Sequence, residues 1–207
     1  PIEKVDSADF FFLAQCSRPD ELVNLIGWTS QADLEALGDL CDAQDVLLCV
    51  DAIQGLGALR IDVEECGIDF LATGGHKWLM AAQGIGLLYC DEALQERLRP
   101  PTGWLHGPID WDHLNEYELT FHDDARRFRT GTVNSVGVAA LHAALGLYLA
   151  VGPAWCEERV LDLSTTLAAE LAERGLLRYG TDDPTHASGI VTVAPEQPEA
   201  LFEHLQA

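Results

Sequence analysis

Lys77 stands 26 residues after Asp51, and each follows an apolar run: Val46-Leu-Leu-Cys-Val50 leads into Asp51, and Ile68-Asp-Phe-Leu-Ala72 leads into Thr73-Gly-Gly-His-Lys77. An acid at the end of one buried strand and an amine just past the next can meet across a single pocket. That pairing suits chemistry on an aldehyde-bearing pyridine such as pyridoxal phosphate. The amine forms a Schiff base with the aldehyde, and the carboxylate keeps the ring nitrogen protonated so that the ring accepts electrons. Gln54, at i+3 from Asp51, is placed to donate to a phenolic oxygen on the same ring. Trp78-Leu-Met80 after Lys77 predicts a desolvated and therefore more nucleophilic amine. Taken singly, each residue has a plainer role: an aspartate there also caps a turn, and a lysine there is also simply solvated.

The elements that must carry these residues alternate between strand and helix. Residues 10–14 read as a buried strand, followed by a polar loop through Asn24. Thr29-Ser30 signals the start of a helix running to about Ala43, with Leu34, Leu37, Leu40 and Cys41 on one face. The wholly apolar run 46–50 is expected of a strand covered on both faces. Val63–Cys66 reads as a helical turn, 68–72 and 84–89 as strands, and Glu92–Leu98 as a helix capped by Asp91 and stopped by Pro100-Pro101. Residues 102–134 carry aromatics, histidines and acids with little periodicity, as loops over a pocket would. A strongly apolar helix over 135–150 is broken at Gly152-Pro153, followed by an amphipathic helix over 154–174, a strand over 189–194 and a helix from about Pro198. The alternation predicts an α/β fold, a three-layer αβα arrangement with a mainly parallel sheet. Residues 1–150 are expected to form a large domain lacking its N-terminal part, and 151–207 part of a small α+β C-terminal domain.

Composition narrows the partners. With 12 Lys+Arg against 34 Asp+Glu the formal charge is −22, which repels nucleic acid and anionic membranes. The 48% hydrophobic content is ample for a packed core and too high for a disordered chain. Six scattered cysteines without a close pair read as buried thiols in a reducing, cytoplasmic compartment. His106, Asp110, Asp112, His113, His122 and Asp123 are metal-capable, but their spacing fits no ligand pattern. Gly84-x-Gly86 precedes a strand rather than a helix, so it is no dinucleotide fingerprint, and no G-x-S-x-G elbow is present. Glu157-Glu158 and Asp182-Asp183 read as solvated surface.

Asp51-Ala-Ile-Gln54, Gly75-His-Lys77 and Gly131-Thr-Val-Asn134, in that order, resemble the class V aminotransferase family of fold-type-I pyridoxal phosphate enzymes. The resemblance covers about residues 28–150 well and the remainder loosely. It implies that Lys77 is the Schiff-base lysine and the proton shuttle at the substrate α-carbon. It further implies that Asp51 pairs with the pyridine nitrogen, Gln54 with the ring oxygen and His76 with the phosphate. Thr132 would bind the phosphate of a neighbouring subunit's cofactor, which implies a homodimer. The substrate would be a small amino acid. Desulfurase members usually carry serine at the position of Gly74, and Thr73 is the residue expected to replace its hydroxyl. HKWL without that serine leans toward epimerase-like members. Cysteine desulfurase or selenocysteine lyase activity, and a non-catalytic homologue, remain the alternatives. The family's phosphate loop, ring-stacking residue and substrate-carboxylate arginine have no match here, so the chain is expected to be a fragment.

Overall fold

A computed structural model describes residues 11–16, 22–26, 33–95, 97, 98, 102–109, 112, 119–176, 178, 179 and 183–206. One five-stranded sheet organises them: β1 (Phe11–Cys16), β2 (Leu22–Ile26), β3 (Val46–Asp51), β4 (Phe70–Gly74) and β5 (Gly86–Cys90), in the order β2-β1-β3-β4-β5. Helices α1 (Leu34–Ala43), α2 (Glu92–Gln95), α3 (Ser135–Val151), α4 (Pro153–Glu173) and α5 (Pro198–Gln206) complete the α/β fold.

The sheet is mixed rather than mainly parallel. Only β3 and β4 run parallel; β1 is antiparallel to both β2 and β3, and β5 is antiparallel to β4. Connection length explains this. Residues 75–85, between β4 and β5, are too few for the crossover of about a dozen or more residues that a parallel neighbour requires. Residues 52–69 are enough, and β4 lies parallel to β3 in the register Asp51↔Ala72. The second strand, β2, falls where a polar loop was expected.

Strand alternation sorts the residues into two faces. On β3 and β4, Leu48, Val50, Leu71 and Thr73 are buried. Leu48, Val50 and Leu71 meet Leu34, Leu37 and Cys41 of α1, together with Ala52, Ala58, Leu59 and Ile68, in the hydrophobic core. Cys49, Asp51, Phe70, Ala72 and Gly74 point to the other face and are only half-buried.

Local chemistry accounts for the helix ends. Asp33, not Thr29-Ser30, caps α1, its side chain accepting from the Ala36 amide at 2.9 Å; Thr29 and Ser30 lie outside the described residues. Asp91 accepts from the Ala93 amide at 2.8 Å and opens α2, shorter among the described residues than the helix to Leu98 that was expected. Gly152, at φ +102°, separates α3 from α4, which meet at 82°. Among the described residues no single helix is long and apolar enough to cross a membrane.

Val160 and Leu161 of α4 pack against the core. Glu157 also leaves the solvated role expected of it. Its carboxylate accepts from both the backbone N–H (3.0 Å) and Nε (2.7 Å) of Arg60. The strand expected over 189–194 is reduced to an isolated bridge between Arg178 and Val193.

Candidate active site

Two turns leave the carboxyl ends of β3 and β4, the place where open α/β sheets bind ligands. The first begins at Asp51. Its Oδ1 accepts from the Ile53 amide at 3.0 Å, the turn-capping role that an aspartate here can play. Among the described residues Oδ2 has no hydrogen-bond partner. The fully buried Ala52 then lends its carbonyl to the amides of Gly55 (3.1 Å) and Leu56 (2.9 Å), coiling the chain tightly. Gln54 is half-buried on this coil.

The second turn carries His76 and Lys77. It closes on itself: the Ala81 amide donates to the Gly75 carbonyl at 2.7 Å and the Met80 amide to the Lys77 carbonyl at 2.9 Å. The Gly75 amide anchors it to the Ile85 carbonyl at 2.8 Å, just before β5. Met80 sits in the left-handed region at φ 56°.

The two turns touch. Gly57, at φ +103°, lies so close to the second turn that a methyl group on it would come 2.8 Å from the Trp78 carbonyl carbon. A methyl on Gly74 would meet the His76 ring at 2.9 Å and Ile53 Cδ1 at 3.1 Å. Asp51, Ile53, Gly74 and His76 therefore share one neighbourhood. A groove of about 400 Å³ opens there, its walls including Asp51, Ile53, Ala72 and Gly74. Cys49 and Phe70 extend it along the sheet face. Burial pushes the Cys49 thiol above its usual range, and the charge of Asp69 adds to the effect.

Two expectations are corrected. Lys77 is exposed rather than desolvated, because Trp78 and the fully buried Leu79 turn toward the core and serve as anchors of the turn. Thr73 does not offer its hydroxyl to the groove: it is buried, and Oγ1 donates to the Ala52 carbonyl at 3.3 Å. Gln54, His76, Lys77 and Thr132 are not among the residues walling the groove. Thr132 is exposed in the irregular stretch just before α3. Asp110 and His113 lie outside the described residues, among which no three metal-ligating side chains cluster.

Sequence reasoning passed over three contributors: Cys49 and Ile53 as groove walls, and Asn134 as a link between segments. Asn134 caps α3, its Oδ1 accepting from the Gly137 amide at 2.9 Å, while Nδ2 donates to the Gly84 carbonyl at 3.1 Å. An asparagine directly before an apolar run is a helix-start signal, so the cap was readable; the reach back to Gly84 was not.

Residues 21–201 match the aminotransferase class-V family, and the chain belongs to that family. It is 32% identical over 144 residues to the uncharacterized aminotransferase YcbU of Bacillus subtilis (strain 168), spanning 70% of this chain and 38% of that protein. It is 30% identical over 178 residues to a probable cysteine desulfurase of Pyrococcus abyssi, spanning 83% of this chain and 44% of that one. Among solved structures, the apo cysteine desulfurase of Thermococcus onnurineus NA1 matches with TM-score 0.76 at 27% identity, over 86% of this chain and 44% of that chain. The fold is that of fold-type-I pyridoxal phosphate enzymes. The chain spans less than half the length of these relatives.

Proposed function

We propose that this protein is a pyridoxal phosphate-dependent enzyme acting on a small amino acid, with Lys77 as the amine that holds the cofactor. One observation carries the reading: the Asp51 turn and the Lys77 turn are packed backbone to backbone beside a groove into which a carboxylate faces. The donor set fits the group. A half-buried carboxylate whose second oxygen has no partner among the described residues suits a protonated ring nitrogen, and Ile53, Ala72 and Gly74 offer a mostly apolar wall for a flat ring. When bound, pyridoxal phosphate supplies an aldehyde for amine capture and a ring that accepts electrons.

The chain's own groups would do the rest. Asp51 holds the ring nitrogen's proton, and the Ile53 amide keeps its carboxylate oriented. His76, whose ring lies beside Gly74, would serve the phosphate, and Gln54 would donate to the ring oxygen. The Lys77 amine would move the proton at the substrate α-carbon. Thr132, exposed ahead of α3, serves the phosphate of a second copy in a homodimer, which sedimentation would detect as a doubled mass.

The test uses a favourable accident of composition: Lys4 and Lys77 are the only two lysines. Incubation with pyridoxal phosphate, borohydride reduction and peptide mapping should place the adduct on Lys77, with Asp51→Ala weakening it. An adduct confined to Lys4 or the terminal amine overturns the reading. The names of the Pyrococcus and Thermococcus relatives favour, as a second reading, release of sulfur from cysteine, which a sulfide assay with and without Lys77→Ala would score.

A further inference from the structure

We infer that Asn134 is a positioning residue for the lysine turn, acting through the Gly84 carbonyl rather than through contact with any ligand. The inference rests on the reading of Lys77 given above.

The path is short and made of named bonds. Lys77 lies in a loop whose ends are tied by the Ala81-to-Gly75 bond at 2.7 Å. That loop hangs on the Gly75 amide, which donates to the Ile85 carbonyl at 2.8 Å. Packing reinforces the anchor: a methyl on Gly75 would lie 3.1 Å from Ala81 Cβ and 3.2 Å from both Ile85 Cγ2 and the Ile85 carbonyl oxygen. Ile85 follows Gly84, whose φ of +78° is a left-handed kink. The Ile85 carbonyl lies between that kink and Gly86, which pairs with Gly74 at the start of β5, and one further bond holds the kink. Asn134 Nδ2, donating to the Gly84 carbonyl at 3.1 Å, does so from the start of α3.

The asparagine is itself immobilised. Its Oδ1 is engaged by the Gly137 amide, and Gly137 must be glycine because a Cβ there would collide with the Asn134 side-chain amide. Both ends of the amide group are therefore used, and its orientation is defined by its partners. A side chain with one acceptor for the helix and one donor for the kink is required; aspartate supplies only the acceptor. Asn134 thereby couples two stretches that the sequence separates: the Thr132 segment and the turn bearing His76 and Lys77.

The chemistry of the two ends separates positioning from simple stability. Asn134→Asp keeps the acceptor for Gly137 and places a negative charge at a helix N-terminus, where it is favourable. It removes the donor to Gly84 and sets an anionic oxygen against that carbonyl. Asn134→Ala removes both bonds. Asp33→Ala removes a comparable cap from α1, away from this turn.

Amide hydrogen exchange over residues 74–81, with the rate of Lys77 acylation by a limiting reagent, reads the effect without any cofactor. Asn134→Asp should accelerate exchange in 74–81 by roughly 2- to 12-fold, the range of one net hydrogen bond, while α3 keeps its protection. The Lys77 acylation rate should change with it. Asn134→Ala should loosen both segments, and Asp33→Ala should leave 74–81 as in the parent chain. Exchange in 74–81 within twofold of the parent for Asn134→Asp overturns the inference, as does an equal effect from Asp33→Ala. If Asn134→Asp loosens the turn yet pyridoxal phosphate never labels Lys77, the coupling stands and the proposed function fails.

Discussion

Gly57→Ala tests whether the two turns of the site are held by direct backbone contact. The structure supplies two separate penalties. Gly57 has φ +103°, a region where a Cβ crowds the backbone; by analogy with the left-handed helix this costs about 1–2 kcal/mol. The new methyl would also stand 2.8 Å from the Trp78 carbonyl carbon, 2.9 Å from its oxygen and 3.0 Å from the Leu79 nitrogen. Carbon pairs prefer about 3.5–4.0 Å, so the overlap is close to an ångström, and all three atoms are backbone. No rotamer change relieves it. Overpacking of this kind adds about 1–3 kcal/mol, giving about 2–5 kcal/mol in all. Against a total stability of roughly 5–15 kcal/mol the loss is large. Urea unfolding would show it as a lower midpoint at constant slope. The yield of reduced cofactor on Lys77 should fall even where Gly57→Ala remains folded, because the turns must part. Gly146→Ala is the matched control. It lies inside α3 with nothing within 4 Å of the added methyl, and should stabilise by about 0.5–1 kcal/mol. A Gly57→Ala protein within about 0.5 kcal/mol of the parent, the scatter of ordinary surface changes, would refute the contact.

Other outcomes follow from single residues. Met80→Gly relieves a left-handed residue at φ 56° whose side chain is largely exposed, and should raise stability by up to about 1–2 kcal/mol in the same urea assay. Asp45→Gly, at φ 54°, should gain less, since aspartate tolerates that conformation. Leu79→Ala empties a fully buried position at the base of the lysine turn and should cost about 2–5 kcal/mol. Burial pushes the Asp69 carboxyl above its usual range, against the bond it accepts from the Leu48 amide at 2.7 Å, with Asp91 adding to the rise. The folded state thus holds that proton more tightly than the unfolded chain does. The stabilisation is complete below the ordinary aspartate value of about 3.9 and is lost as pH rises through the elevated folded value. Asp69→Asn should therefore flatten the acid side of the stability profile, and an unchanged profile would count against the burial argument.

What could be read from the chain divides along physical lines. The apolar run 46–50 and the capping aspartates are local signals, and β3 and the start of α2 fall where those signals put them. The break at Gly152-Pro153 is equally local, and α3 and α4 meet there. Strand direction is not local. It depends on whether a connection can cross the sheet, and the short 75–85 link that carries Lys77 is what forces β5 antiparallel. Side-chain direction within a turn is hidden for a similar reason. Trp78 and Leu79 are apolar neighbours of Lys77 and suggested a dry amine, yet they face the core and leave the lysine outside. Glu157 looked like surface because its partner Arg60 is 97 residues away.

The end of β4 shows how strictly a strand assigns chemistry to a face. Adjacent strand residues point in opposite directions, so a hydroxyl at position 73 cannot stand in for one at 74. The structure bears this out atom by atom: Thr73 is buried and bonded to the Ala52 carbonyl, while Gly74 faces the groove beneath the His76 ring. Adding a side chain at 74 would bring Cβ to 2.9 Å from that ring and 3.1 Å from Ile53, so the imidazole would have to move. A serine hydroxyl at 74 and the His76 ring in its present place are therefore alternative occupants of one volume. With glycine there, the ring lies against the strand end itself, and a ligand beside it would meet the imidazole rather than a hydroxyl. Gly74→Ser thus exchanges one donor set for another instead of adding to the first.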